Sequence, residues 1–283
     1  MDSLYLNRNL TLESNCELED AKFALLGIPF DSTSTYRVGQ RFAPLEIRKE
    51  FLELEKKNFF KIPFYDLGNV EVVHGNVHET FKRIENVIKE VFETNPDVIL
   101  LTLGGEHTVS YPIIKSIKNK NLHVLQLDAH MDLKDDYLGE KWSHATVMRR
   151  LSESGIPITQ IGVRSFDDNE IEYVKEKRIE YCGTDGRDIK KVINKIHNKS
   201  VYITLDMDIL DPSIAPGVSN PEPDGIDLNT LGYIINKVIK NNSVTGFDIM
   251  EVCPTFDNGT TSITAARIML DFILSLSFKK RKV

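Results

Sequence analysis

The sequence predicts an α/β protein built on a mostly parallel central sheet. From Asp97 onward, short apolar stretches rich in Leu, Ile and Val alternate with amphipathic stretches of roughly ten to fifteen residues. The apolar stretches are nearly continuous, as befits strands covered on both faces. Three of them stop abruptly in acids, histidines or glycines. Strands that alternate with helices need crossover connections, and these make neighbouring strands parallel. The chain has 283 residues, no internal repeat, no low-complexity tract and no linker, so residues 1–283 are expected to form one domain.

Residues 1–20 read as an irregular lead-in. Residues 21–30 form a first strand whose exit is marked by Gly27 and Pro29. The segment 31–42, rich in Ser, Thr, Gly and Arg, reads as a long loop. Pro44 opens a helix over 45–54, at the first-turn position where its missing N–H costs nothing. A weak strand over 62–68 precedes a strongly amphipathic helix over 78–94. Next come strand 97–103 with helix 108–118, strand 122–127 with helix 145–153, and strand 158–163 with helix 167–178. A short strand with helix 186–197 follows, then strand 201–205 with helix 228–240. Strand 244–250 and helix 261–276 complete the pattern. Lys279-Lys280-Arg281-Lys282 is a basic run read as a solvated end.

A hydrophobic content of 41% and a charged content of 27% exclude the disordered and membrane-embedded classes. The net charge of −7 argues against nucleic acid as a partner and favours cationic or neutral substrates. Cys16, Cys182 and Cys253 are odd in number and widely spaced, so neither a disulfide framework nor a thiolate zinc site is expected, and a reducing cytoplasm fits. Residues 1–19 are polar and acidic without an apolar signal core, and no apolar run is long enough to span a bilayer. Neither export nor a membrane partner is expected.

The strand 122–127 runs into Asp128-Ala129-His130-Met131-Asp132. On extended backbone, residues at i, i+2 and i+4 share a face, so Asp128, His130 and Asp132 can converge. In open α/β sheets, ligands collect beyond the carboxyl ends of strands, which is where this run ends. A turn whose aspartates cap the next helix would explain this stretch taken alone. Two further strands make that reading insufficient: one ends in Asp206-Met207-Asp208, the other in Gly104-Gly105-Glu106-His107. Together they offer two histidines and four aspartates, His107, His130, Asp128, Asp132, Asp206 and Asp208, as a shared metal site.

A carboxylate-rich set with few imidazoles suits hard or borderline divalent ions, manganese before copper or zinc. Six ligands are too many for one catalytic ion and suit two ions about 3.5 to 4 Å apart sharing carboxylates. A calcium loop beginning at Asp206 is excluded, because Leu210, Asp211 and Gly217 stand where it needs an oxygen ligand, glycine and glutamate. His144 sits where a helix starts; it is either a capping or core histidine or a proton shuttle beside the metal site. Glu251 ends a strand, as a surface carboxylate or as one aimed at a planar guanidinium. His123 lies within a strand and reads as core, whereas His74, His78 and His197 read as surface.

These motifs resemble the ureohydrolase family, which includes arginase and agmatinase. Gly104 to His107, Asp128 to Asp132, Ser143-His144-Ala145 and Asp206 to Pro212 resemble its signatures, and Asp248 to Pro254 its guanidinium-binding strand. Residues 36–44 resemble an agmatinase segment, so the likeness runs from about Gly27 to Arg267. The resemblance implies a three-layer α/β/α arginase-like fold and two Mn2+ per subunit. One ion would be held by His107, Asp128, Asp132 and Asp206, and the other by Asp128, His130, Asp206 and Asp208, with Asp128 and Asp206 bridging. It further implies a hydroxide that attacks the guanidinium carbon, Asp132 relaying a proton to the leaving amine, and His144 exchanging protons with solvent. Glu251 would orient the guanidinium. A small cationic guanidinium substrate and a homo-oligomer, trimer or hexamer, belong to the same expectation.

The residues from Lys134 to Trp142 do not match those that hold the amino-acid head of arginine in arginases, which favours agmatine over arginine. Ser219-Asn220 replaces a commoner Gly-Thr step, and Glu106 stands where many members have Asp, a change expected to be harmless. Asp135, Asp136 and Glu140 form either an acidic surface that attracts a cationic tail or, more plainly, a solvated loop.

Overall fold

The computed structural model describes residues 5–119 and 121–279. Among the described residues, nine strands form one sheet: β1 (Leu6–Asn7), β2 (Phe23–Gly27), β3 (Phe64–Val70), β4 (Ile99–Leu103), β5 (Leu122–Leu127), β6 (Ile158–Ile161), β7 (Glu180–Cys182), β8 (Ser200–Asp206) and β9 (Ser243–Met250). Their order across the sheet is β1-β3-β2-β4-β9-β8-β5-β6-β7. All pairs are parallel except β1 with β3. The expected mostly parallel sheet is therefore present, with an antiparallel strand added at one edge.

Eight α-helices cover it: α1 (Ala43–Glu53), α2 (Val77–Thr94), α3 (Ser110–Ser116), α4 (Val147–Glu153), α5 (Asp168–Lys177), α6 (Gly186–Lys195), α7 (Leu228–Asn241) and α8 (Thr260–Ser277). Alternation along the strands decides which face each residue serves. On β2, Phe23 and Leu25 enter the core shared with α1, α6, α7 and α8. Ala24 and Leu26 enter the core shared with α2, α3, α4 and α5. The molecule is thus three-layered, helices on both faces of one sheet. On α7, Leu231, Ile234, Ile235, Val238 and Ile239 are buried at helical spacing, and each such side chain contributes about 2 kcal/mol by leaving water. Helix starts are capped as the sequence suggests: Asn76 accepts from Glu79 N, Asp167 from Glu170 N and Asp227 from Thr230 N.

Several boundaries differ from expectation. The lead-in contains β1, two residues paired with Asn69 and Val70; so short a segment carries no periodicity to detect. The first strand stops at Gly27, and Ile28 N instead bonds Leu103 O. Helices expected from 108 and 145 begin as 3-10 turns over His107–Val109 and His144–Thr146. Lys279 Nζ bonds Asn242 O at 2.8 Å, and the remainder of the basic tail, Lys280 to Lys282, lies outside the described residues. Among the described residues no helix is long and apolar enough to cross a membrane.

Strands β4, β9, β8 and β5 are consecutive neighbours and all run the same way. Their carboxyl ends therefore deliver His107, Glu251, Asp206 and Asp128 to one edge of the sheet.

Candidate metal centre and active-site cleft

Residues that follow β4, β5 and β8 meet in two clusters that share Asp128. His107, Asp128 and Asp132 each place one ligand-type atom within 4.8 Å of the others, as do Asp128, His130 and Asp208. His107 Nδ1 lies 3.1 Å from Asp128 Oδ2, 3.3 Å from Asp132 Oδ2 and 3.4 Å from Asp206 Oδ2. His130 Nδ1 lies 2.8 Å from Asp208 Oδ2 and 3.6 Å from Asp128 Oδ1. The structure thus brings together all six residues that the sequence singled out as ligands.

The local backbone explains the convergence. Gly104 and Gly105 let β4 leave the sheet between β2 and β9: a Cβ at Gly104 would lie 1.8 Å from Met250 Sδ, and one at Gly105 1.9 Å from Phe30 O. His107 Nε2 is held by Thr204 Oγ1 at 2.8 Å, which turns Nδ1 toward the carboxylates. Asp128 is fixed by the His130 amide at Oδ1 and by Gln126 Nε2 at Oδ2, 2.6 and 2.7 Å away. Asp208 accepts from Ala129 N at 3.0 Å, and Asp206 from Asp208 N at 2.8 Å. Asp132 and Glu251 both adopt left-handed backbone, φ 54 and 65. Such geometry costs about 1 to 2 kcal/mol at each residue, and strain of this kind gathers at functional sites.

The residues present fit bound cations. His107 Nδ1 is buried and has no hydrogen-bond partner, although three carboxylate oxygens surround it. A lone pair aimed at their common point is what a cation would use. Burial pushes Asp132 up to about 7, helped by the negative charge of Asp128. Burial also raises Asp206, with the charges of Asp208 and then Asp128 adding to it, and raises Asp208, with Asp128 adding to it. Asp128 goes the opposite way: the imidazoles of His107 and His130 outweigh its burial and hold it well below the usual carboxylate range. Conversely, the surrounding carboxylates lift His107 and His130 far above ordinary histidine despite their burial. So many acids in one buried place bind positive charge, and divalent ions supply it most compactly.

Above the clusters lies a cleft of about 260 Å³. Glu251 lines it, 3% exposed. Its Oε1 accepts from His107 N at 2.6 Å, and its Oε2 from Gln40 Nε2 at 3.1 Å and from the Ser219 hydroxyl. His144 also lines the cleft, its ring edge-on to Tyr137 at 5.6 Å. Burial holds its imidazole below the ordinary value, against the pull of Glu251. Of the other histidines, His123 is buried and His74, His78 and His197 are exposed, as expected.

The acidic side chains of the loop are not part of the cleft, although Tyr137 between them lines it. Asp135, Asp136 and Glu140 are exposed and do not line it, and Asp135 is paired with Arg150 at 2.9 Å. The carboxylates at its mouth are Asp167, Glu170 and Glu222, with Lys134 among them. Sequence reasoning missed these. The only signal for the first two was the helix-start pattern Asp167-x-x-Glu170, which looks purely structural. Glu106 also has a larger part than expected: its buried carboxylate accepts from Thr33 N, Thr33 Oγ1 and Ser34 Oγ, clasping the 31–42 segment beside the site.

Comparison with known proteins agrees with this architecture. The family model for the Arginase family matches residues 21–275. A 32.2 kDa protein of Methanothermus fervidus, described as uncharacterised, is 39% identical over 266 residues, 90% of this chain and 92% of that one. The N(1)-aminopropylagmatine ureohydrolase of Thermococcus kodakarensis is 32% identical over 278 residues, 95% of this chain and 96% of the relative. The crystal structure of the agmatine ureohydrolase of Thermoplasma volcanium matches with a TM-score of 0.85 at 32% identity, over 95% of this chain and 96% of that one. A three-layer sheet whose adjacent strands carry these motifs to one edge, matched over nearly its whole length, makes this chain an enzyme of the arginase family, a ureohydrolase.

Proposed function

We propose that this ureohydrolase cleaves agmatine to putrescine and urea, using two manganese ions. The observation that carries the reading is the pair of His/Asp clusters sharing Asp128 beneath a cleft lined by Glu251. His107, Asp128, Asp132 and Asp206 would hold one ion, and Asp128, His130, Asp206 and Asp208 the other. When bound, such ions would supply the Lewis acidity that makes a water at the site nucleophilic near neutral pH.

The chain's own groups do the rest. Glu251 is immobilised by three donors and presents a carboxylate that can take two guanidinium N–H groups side by side. That pairing fixes the guanidinium carbon over the clusters, which lowers the entropic part of the barrier. Asp132, buried among the cluster carboxylates, would carry a proton to the leaving amine. His144 lines the cleft half-buried and would exchange protons with solvent.

A second reading keeps the chemistry and changes the tail: N1-aminopropylagmatine, guanidinobutyrate or arginine. It is favoured by the equal 32% identity to an aminopropylagmatine ureohydrolase and to an agmatine ureohydrolase. A reading of another class, a metal-stabilised assembly protein without turnover, requires metal-dependent melting and no urea. The deciding measurement is urea release from agmatine, arginine, N1-aminopropylagmatine and guanidinobutyrate with added manganese. Agmatine cleaved with the highest kcat/KM supports the first reading, and no release from agmatine above background ends it.

A further inference from the structure

We propose that Lys134 is a specificity-determining residue whose ammonium, at the mouth of the cleft, sets the balance between guanidines with a cationic tail and guanidines with an anionic one. This rests on reading the cleft as the guanidine site. Lys134 is the only lysine or arginine that lines the cleft among the described residues. It stands two residues beyond Asp132, so its stem starts at the edge of the metal clusters and its charge ends at the mouth.

Its surroundings show why that charge matters. Lys134 Nζ is paired with Asp167 Oδ2 and reaches Glu170 Oε2 at 3.3 Å. Both acids have further duties. Glu170, almost wholly buried, accepts from Leu133 N at 2.9 Å and from Asp167 N at 3.0 Å. Asp167 accepts from Glu170 N at 3.1 Å. These bonds anchor the Asp132 turn to the start of α5 and fix Lys134 between the two carboxylates. The third mouth acid, Glu222, has its Oε1 3.4 Å from His130 Nε2 and, among the described residues, no lysine or arginine in ion-pair contact.

The mouth therefore combines a partly neutralised side, where one ammonium faces the two carboxylates of Asp167 and Glu170, with an acidic side at Glu222. Remove the Lys134 charge and the more exposed carboxylates of Asp167 and Glu222 meet the entering tail with no lysine or arginine of the described cleft lining to oppose them. An ammonium tail gains from that change and a carboxylate tail loses. Lys134 thus holds down the preference for amines and admits guanidino acids, a discrimination that arises from placing a repulsive charge as much as an attractive one.

The test uses agmatine, guanidinobutyrate and butylguanidine, which share a carbon spacing and carry a positive, a negative and no tail charge. Lys134→Met keeps the stem and removes the charge, Lys134→Gln does so with a hydrogen-bonding end, and Lys134→Arg keeps the charge. For each, kcat/KM is measured with manganese content, and Ki against agmatine replaces it where turnover is absent. Lys134→Met or Lys134→Gln is expected to raise the agmatine-to-guanidinobutyrate ratio about ten-fold or more, as a unit charge in a half-screened site should. Butylguanidine and Lys134→Arg are expected to stay near the unaltered enzyme. A ratio unchanged within about two-fold, or an equal loss on all three compounds, overturns the proposal and leaves Lys134 as a brace for Asp167 and Glu170. Urea released from none of the three by the unaltered protein removes the guanidine reading itself, a different failure from an unmoved ratio.

Discussion

His107 Nδ1 stands 3.1 Å from Asp128 Oδ2 without a hydrogen bond between them. In a buried place, two such groups turned toward each other but not bonded are set for a third party, and Asp128 is the residue common to both clusters. Asp128→Ala should therefore lose both ions rather than one. The check is metal content after dialysis, with melting in the presence and absence of manganese. We expect less than one ion per chain and a melting temperature that manganese no longer raises, since a ligand stabilises only the state that binds it.

Glu251 belongs to neither cluster but takes three donors, from Gln40, the His107 amide and Ser219. Glu251→Gln keeps the shape and removes the charge. Metal content should stay unchanged while kcat/KM for agmatine falls about 10²- to 10³-fold, as expected for a charged hydrogen bond lost from the transition state. An unchanged kcat/KM would remove Glu251 from the site.

His144 lines the cleft but belongs to neither cluster. His144→Ala should retain both ions and slow kcat by about 10²-fold, the usual worth of a proton-transfer group. Added imidazole should restore part of the rate. Loss of metal in this variant would contradict a shuttle role.

The clearest pH effect on stability lies far from the metal centre. His123 is 6% exposed, its Nε2 2.9 Å from Thr159 Oγ1 and its Nδ1 3.2 Å from Lys199 Nζ. Burial, with Lys199 adding to it, lowers its pKa to about 4 from 6.5. Between those values the unfolded chain binds the extra proton and the folded chain does not. Stability is then fully present above pH about 6.5 and declines as pH falls toward 4, by about 3 kcal/mol in total. His123→Asn should flatten melting temperature against pH across that window without affecting urea release. A slope identical to that of the unaltered chain would place the acid sensitivity elsewhere.

Much of this was legible in the sequence because it is written in local patterns. Strands β4, β5, β8 and β9 are runs of branched residues that stop in chemistry, and α2 and α7 bury apolar positions at helical spacing. Asp128, His130 and Asp132 could be placed together because alternation on one strand is a short-range rule. What could not be read depends on contacts across long sequence separations. Nothing near Gln40 or Ser219 announces a bond to Glu251, 211 and 32 residues away. Asp135, Asp136 and Glu140 look like the mouth because they follow the ligand motif, yet the chain turns them to solvent. Asp167 and Glu222 reach it from distant segments. β1 was invisible because two residues define no period.

The centre draws on four neighbouring strands whose exits span His107 to Glu251, with nothing borrowed from a single autonomous hairpin or helix pair. A chain cut so that β4 is lost would forfeit His107, while Asp128, His130, Asp206 and Asp208, carried by β5 and β8, stay neighbours. Metal should then leave in two steps, the set that includes His107 first.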